Sequence, residues 1–177
     1  MIEDHIDVQE IVDLMSTARS SRQIVSIYTD PTNWSTCSVG TVLAIDFVFV
    51  ALHGLDPEGK PDAIVLRRLD EIFRVDIGTE YEQKIASLSV KETVNFILPD
   101  RKLLRAVLNL GKELGTMVSV WGSDNEYSAD GFVETLKKEI ITLVPAIDDS
   151  SKTRSVGLSV IRFDAISAVD VDIKKNS

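Results

Sequence analysis

The chain has 177 residues, of which 44% are hydrophobic and 27% charged, a composition typical of a globular protein with one ordinary domain or two small ones. No apolar run reaches the roughly 18 residues that a membrane-spanning helix needs, and the acidic first residues do not resemble a secretory signal, so we expect a cytoplasmic protein. The net charge of −9 argues against binding to phosphate backbones, and the single cysteine, Cys37, excludes a disulfide within the chain and a cysteine cluster for zinc.

The first part of the chain predicts one helix followed by five short strands. Residues 6–20 carry apolar side chains at helical spacing, after Asp4 or Asp7 as the capping residue. Gly40 predicts a bend in the second strand, and a Pro-containing turn over residues 56–59 separates the third strand from the fourth. The strands are predicted over residues 23–28, 37–45, 47–55, 61–69 and 71–77.

A helical connector follows. Residues 81–88 predict a short helix. Ser89 and Glu92 have the spacing of a capping box, which predicts the start of a further helix that Pro99 ends.

The second part of the chain repeats the first. The clearest repeat is Arg68-x-Asp70-x-Ile72, which returns 94 positions later as Arg162-x-Asp164-x-Ile166. Other equivalent positions are Ile11, Leu14, Met15 and Ala18 with Leu104, Val107, Leu108 and Gly111 (93 positions apart), Val25–Tyr28 with Val118–Trp121 (also 93), and Gly40 with Gly131 (91). This regularity predicts an internal duplication.

The repeated pattern resembles the Sm-like family. Val42, Leu43, Ile45 and Asp46 follow Gly40 in an order similar to the first motif of that family. Its second motif, roughly Ile-Arg-Gly-Asp/Asn-x-Ile, is similar to residues 160–166 and 66–72, with Phe163 and Leu69 in place of the glycine. The resemblance implies small, strongly bent sheets that close into barrels, and open strand edges by which neighbouring barrels join into rings.

We therefore predict a mainly β protein with helices, built as two tandem Sm-like five-stranded barrels that are each preceded by a helix. The predicted units are residues 1–78, a helical connector over 79–98, a second unit over 99–172 and a tail over 173–177. Because strand edges must be paired, covered or charged, we expect self-association through these edges.

Few residues offer catalytic chemistry. His5 and His53 are the only histidines, and no serine has His and Asp at a recognisable motif spacing. Cys37 lies in a predicted strand without a nearby Lys or His to lower its pKa, so we interpret it as a small buried side chain rather than a nucleophile.

Two aspartate pairs are candidates for a cation site. Asp170 and Asp172 alternate with valines, which favours a solvated strand face. Asp148 and Asp149 precede a serine pair, where aspartate is favoured by local turn hydrogen bonds. No metal or cofactor is predicted.

The repeated Arg–Asp pairs are the best candidates for a ligand contact: Arg68, Asp70, Arg162 and Asp164. In the structural interpretation, which we favour, each aspartate bonds turn amides and each arginine neutralises it. In the functional interpretation, the arginines hold an anionic or aromatic ligand. Tyr28 and Trp121, in equivalent positions, are interpreted as core or interface residues.

The sequence thus predicts a non-enzymatic, oligomeric binding or scaffold protein. Single-stranded RNA binding of the Sm type is the first alternative, although the position of the family's Asn, near Phe49, is apolar and the family's glycine is replaced in both copies. The second alternative is an enzyme with a site at a subunit interface. No membrane partner is expected.

Overall fold

The computed structural model describes residues 7–90, 96–124, 127–146 and 157–173. Three α-helices lie within these ranges: α1 (Val8–Ser21), α2 (Glu80–Leu88) and α3 (Leu103–Leu114). The strands are β1 (Ile24–Tyr28), β2 (Ser38–Ile45), β3 (Phe49–Leu55), β4 (Pro61–Arg68), β5 (Arg74–Ile77), β6 (Val118–Trp121), β7 (Ser128–Leu136), β8 (Ile140–Val144), β9 (Ser159–Arg162) and β10 (Ala168–Asp172). No helix among the described residues is long and apolar enough to cross a membrane.

Helix α1 begins where the sequence predicts. The Asp7 side chain accepts a hydrogen bond from the Gln9 amide at 3.2 Å, which satisfies one of the free amides of the first turn. The apolar positions Ile11, Met15 and Ala18 are buried. Arg22 ends the helix in the left-handed conformation, with φ of 55°. Helix α1 thereby covers β2 with one apolar stripe.

The ten strands form one antiparallel sheet in the order β5-β1-β2-β3-β4-β10-β6-β7-β8-β9. Each half of this order has the same plan, since β5-β1-β2-β3-β4 and β10-β6-β7-β8-β9 are equivalent runs. Register shifts fall at equivalent places, between Val42 and Ala44 in β2 and between Val133 and Thr135 in β7. Such shifts increase the local twist of a sheet.

The predicted pair of closed five-stranded barrels is wrong. In place of two barrels there is one open sheet, because β4 pairs with β10 along five residue pairs, from Ala168 opposite Arg67 to Asp172 opposite Ala63. This pairing satisfies the amides of β4, which a closed barrel would have paired with its own β5. In the described residues, β5 lies at one end of the sheet and β9 at the other.

Two hydrophobic cores lie on opposite faces of the sheet at β3 and β4. Ala51 and Leu66 belong to the core that contains α3, whereas Leu52 and Val65 belong to the core that contains α1. Since neighbouring side chains of a strand point to opposite faces, these two strands are covered on both sides.

The connector differs from its prediction at its second helix. The capping box is formed by Thr79 and Glu82 at the start of α2, where the Glu82 carboxylate accepts the Thr79 amide at 3.0 Å. Ser89 instead follows the end of α2, and its amide donates to the Ile85 carbonyl at 2.9 Å. Glu92 lies outside the described residues, and the described residues 96–99 are not helical.

Candidate interaction site

The joint between the two halves is an antiparallel pairing of β4 with β10. The Arg68 amide donates to the Ser167 carbonyl at 3.2 Å, and the Ile173 amide donates to the Asp62 carbonyl at 3.3 Å. In an antiparallel ladder, alternate residues face the same neighbour. The backbone groups of the odd-numbered residues of β10 and of the even-numbered residues of β4 therefore face one another. We call the pairing of β4 with β10 the internal joint.

Arg67 places a charge contact across the internal joint. Its Nη1 lies 2.7 Å from Asp170 Oδ1, and its guanidinium carbon lies 5.7 Å from the centre of the Trp121 ring. The same nitrogen also donates to the Leu66 carbonyl at 2.9 Å and to the Val169 carbonyl at 3.3 Å. Because the arginine side chain is only 14% exposed, this contact is better shielded from solvent than an ordinary surface ion pair.

A second polar contact lies at the end of the internal joint. Ser167 Oγ donates to Glu71 Oε1 at 2.7 Å, and it lies 3.1 Å from the hydroxyl of Ser123. Glu71 follows β4, whereas Ser167 precedes β10. This contact therefore fixes the relative positions of the turns that flank the two strands.

The strands at the two ends of the sheet are the equivalents of the two strands that the internal joint pairs. β9 is the equivalent of β4, and β5 is the equivalent of β10. In the part of the chain that the structure describes, β9 pairs with β8 alone and β5 with β1 alone. Each strand therefore has one edge on which its backbone groups face no other strand.

At the β5 end of the sheet, the charged contact is made by an arginine of the same half. Arg74 binds both carboxylate oxygens of Asp76, at 3.0 and 2.6 Å, and its guanidinium carbon lies 4.5 Å from the centre of the Tyr28 ring. Trp34 packs against Phe73 with ring centres 5.3 Å apart. Asp76 and Tyr28 are the equivalents of Asp170 and Trp121, so the same three-part contact forms here within one half.

The Arg–Asp pairs predicted as ligand contacts lie in two equivalent turns. Arg68 donates to both carboxylate oxygens of Asp70, at 2.9 and 2.7 Å, and Arg162 donates to Asp164. The hydrogen bond from Arg68 lowers the pKa of Asp70 below its usual range, and the matching bond raises the pKa of Arg162. All four side chains therefore engage a partner inside their own turn, and the structure does not bring the two pairs together in one pocket.

Leu69 and Phe163, which stand where the Sm-like motif has glycine, both have packing contacts. Leu69 is buried in the core beneath α1. Phe163 packs against the other core, with the guanidinium carbon of Arg105 5.3 Å from its ring centre. Both side chains contribute apolar contacts at the turn.

Cys37 precedes β2, and His53 lies in β3. Burial raises the pKa of the Cys37 thiol, an effect that outweighs hydrogen bonds from Tyr28 and Ser26, so the thiol stays protonated near neutral pH. His53 is buried in β3, with its ring 6.4 Å from that of Phe96. His5 lies outside the described residues, as do Asp148 and Asp149.

Within the described ranges, no three of the side chains that usually bind metals come together as a possible ion site. The cleft between α1, α2 and the sheet has a volume of about 1040 Å³, and Arg19, Arg22, His53 and Glu82 line it. Glu82 is 2% exposed and accepts hydrogen bonds from Thr79 and Ser26. This carboxylate connects α2 to β1.

Sequence reasoning missed Arg67, Asp170 and Trp121 as the charged contact of the internal joint. Asp170 was predicted to face solvent, but it binds Arg67. A signal was present, because the position equivalent to Arg67 is Ile161. Such a departure from the repeat marks a position at which the two halves have different surroundings.

Comparison with protein-family models, with curated proteins and with solved structures gives no match. The relation to the Sm-like family therefore stays a prediction from the sequence.

Proposed function

We propose that this chain is a non-enzymatic scaffold or binding protein that self-associates head to tail, with β9 of one copy pairing with β5 of the next. The observation that carries the proposal is the internal joint. The chain already pairs the equivalents of these two strands, β4 and β10, along five residue pairs. A repeated head-to-tail contact closes into a ring or continues as a filament.

The internal joint supplies the register expected between copies. Val169 lies opposite Leu66, and Val171 lies opposite Ile64. Moving each strand by the 94-position repeat places Val75 opposite Val160 and Ile77 opposite Leu158. Both new pairs are apolar, and cross-strand apolar pairs stabilise a sheet by about 0.2–1 kcal/mol each.

The backbone groups at the two ends are oriented for this pairing. The Phe73 amide donates to the Tyr28 carbonyl at 3.1 Å, as the Ser167 amide donates to the Trp121 carbonyl at 2.9 Å. The regular ladder bond of β10 runs from the Asp172 amide to the Met117 carbonyl at 3.0 Å, so the even-numbered residues of β10 face β6. β5 begins on β1 with the same contact with which β10 begins on β6, so its even-numbered amides face β1 and the amides of Val75 and Ile77 face away from β1. On β9, the Phe163 amide donates to the Glu139 carbonyl at 3.0 Å, so the even-numbered amides face away from β8.

RNA binding through Arg68 and Arg162 receives less support. Each arginine is already bound to the aspartate two residues later, and the net charge of −9 opposes a phosphate backbone. A cytoplasmic location is part of the proposal, since a single half-buried thiol, Cys37, is suited to a reducing compartment.

Cysteine cross-linking tests the proposed register. In a Cys37→Ser background, the Val75→Cys/Val160→Cys variant should form disulfide-linked multimers under mild oxidation. Opposed residues in a hydrogen-bonded antiparallel pair have Cα atoms about 5.5 Å apart, which is within the roughly 4.4–6.8 Å that a disulfide spans.

The control is Val75→Cys/Leu158→Cys, in which the second cysteine lies two residues away, or about 6.8 Å along the strand. This variant should stay uncross-linked. Equal cross-linking of both variants, or of neither, would contradict the proposed pairing.

A further inference from the structure

The outer face of β8 and β9 is uncovered, although the equivalent face of the first half is buried. We define this outer face by Ile140, Thr142, Leu158 and Val160. Leu158 and Val160 are 55% and 63% exposed. Their equivalents in β4, Ile64 and Leu66, are both 0% exposed.

The first half owes this burial to α3. Helix α3 packs against β7 and β10 of its own half and also against β3 and β4 of the other half. Phe49 and Ala51, the equivalents of Ile140 and Thr142, lie with Ile64 and Leu66 in the core that contains α3. Helix α3 thus packs against sheet surfaces of both halves. The four residues of the outer face of β8 and β9 have no such helix against them among the described residues.

We infer that α1 of an incoming copy covers the outer face of β8 and β9, as α3 covers the equivalent face inside the chain. This inference rests on the proposed head-to-tail pairing, which brings the α1 half of one copy beside β9 of another. It goes beyond that pairing because it adds a helix-to-sheet contact that directs β9 toward β5 and not toward a second β9.

The α1 surface has an exposed leucine available for this contact. Leu103 and Val107 of α3 are 0% exposed. Their equivalents in α1 are Glu10 and Leu14, and Leu14 is 42% exposed. Since Glu10 replaces an apolar residue, the contact between copies buries less apolar surface than the internal one, and association between copies is reversible and depends on concentration.

Leu14→Lys tests the contact without changing either strand edge. The matched control is Leu114→Lys, because Leu114 is also a helical leucine with 42% exposure and lies at the end of α3, away from the proposed contact. Sedimentation equilibrium should show the dissociation constant raised about tenfold or more by Leu14→Lys, as expected when a buried leucine contact is lost. Leu114→Lys should leave it unchanged.

Glu10→Leu is a gain-of-function test that misfolding does not mimic. It restores the apolar residue present in α3, so association should tighten about threefold or more. Glu113→Leu, which also replaces an exposed helical glutamate with leucine, should have no effect.

A mixing experiment tests the direction of assembly. At a concentration above the wild-type dissociation constant and below those of the variants, Leu14→Lys and Val160→Lys copies should each be monomeric alone. Their mixture should form one-to-one complexes, because each supplies the surface that the other lacks. A mixture that stays monomeric would overturn the inference. If Leu14→Lys associates as tightly as the wild type while in-register cross-linking persists, the helix contact is wrong and the edge pairing stands; a wild type that never associates overturns both.

Discussion

Arg68 and Arg162 each bind the aspartate two residues later, so the repeated motif acts first as a turn between strands that are consecutive in the chain. At this scale, the sequence predicted a structural role in which each arginine neutralises its aspartate, and the structure contains the hydrogen bonds between them. The sequence did not identify Arg67, whose partner Asp170 lies 103 positions away in the chain. A local sequence pattern indicates where a turn lies, but it does not indicate which distant residue a side chain contacts across a sheet.

Asp100 links three parts of the chain and gives a residue-scale prediction. Its carboxylate accepts Arg19 Nη1 at 2.9 Å and the Ile45 amide at 3.1 Å. Partial burial opposes ionisation, but the Arg19 and Ile45 hydrogen bonds outweigh it and lower the pKa of Asp100. The stabilisation is therefore present above the unfolded-state pKa of about 4 and is lost as pH falls through the lower folded-state pKa.

Asp100→Asn should lower the free energy of unfolding at pH 7 by about 1 kcal/mol or less, because the side chain is 53% exposed. Urea denaturation at pH 7 and at about pH 3 measures the difference, which should shrink at the lower pH. An equal loss at both pH values would contradict the role assigned to the ionised carboxylate.

At the scale of elements, helix periodicity and strand alternation predicted α1, α2 and the five strands of the first half to within a few residues. The elements of the second half were predicted from their equivalent positions in the first half. The capping box predicted at Ser89 and Glu92 differs from the structure, in which Ser89 ends α2 and the capping box belongs to Thr79 and Glu82. Residues 91–95 of the predicted second connector helix lie outside the described residues. The capping box of Thr79 and Glu82 is fixed to the sheet, because Ser26 of β1 donates a hydrogen bond to the Glu82 carboxylate.

The glycines of β2 and β7 allow neighbouring strands to approach closely. A Cβ atom at Gly40 would lie 2.2 Å from the His53 carbonyl oxygen, and one at Gly131 would lie 2.4 Å from the Val144 carbonyl oxygen. Gly40→Ala should therefore lower the free energy of unfolding by about 3 kcal/mol. Gly157→Ala, with no atom of the described residues within 4 Å of the added Cβ, should change the free energy of unfolding by less than about 0.5 kcal/mol in the same urea titration. Equal effects would contradict the close approach.

At the scale of the whole molecule, the prediction of two closed barrels was wrong for a physical reason. The edge of β4 can pair with β5 of its own half or with β10 of the other half, and the alternation of apolar residues in the strand is the same in both cases. The choice depends on contacts distant in sequence, such as Arg67 with Asp170 and Glu71 with Ser167. The same pairing leaves β5 and β9 at the ends of the sheet, and the proposed head-to-tail self-association rests on it.

The molecular mass in solution tests this self-association most directly. Sedimentation equilibrium from about 1 to 100 μM should give a wild-type mass that rises above that of one chain. Val75→Pro should stay monomeric, because it removes an outward amide of β5 without removing a bond to β1. Val75→Thr, which keeps the amide, should still associate. A wild type that is monomeric throughout, or a Val75→Pro variant that associates as the wild type does, would contradict the proposed function.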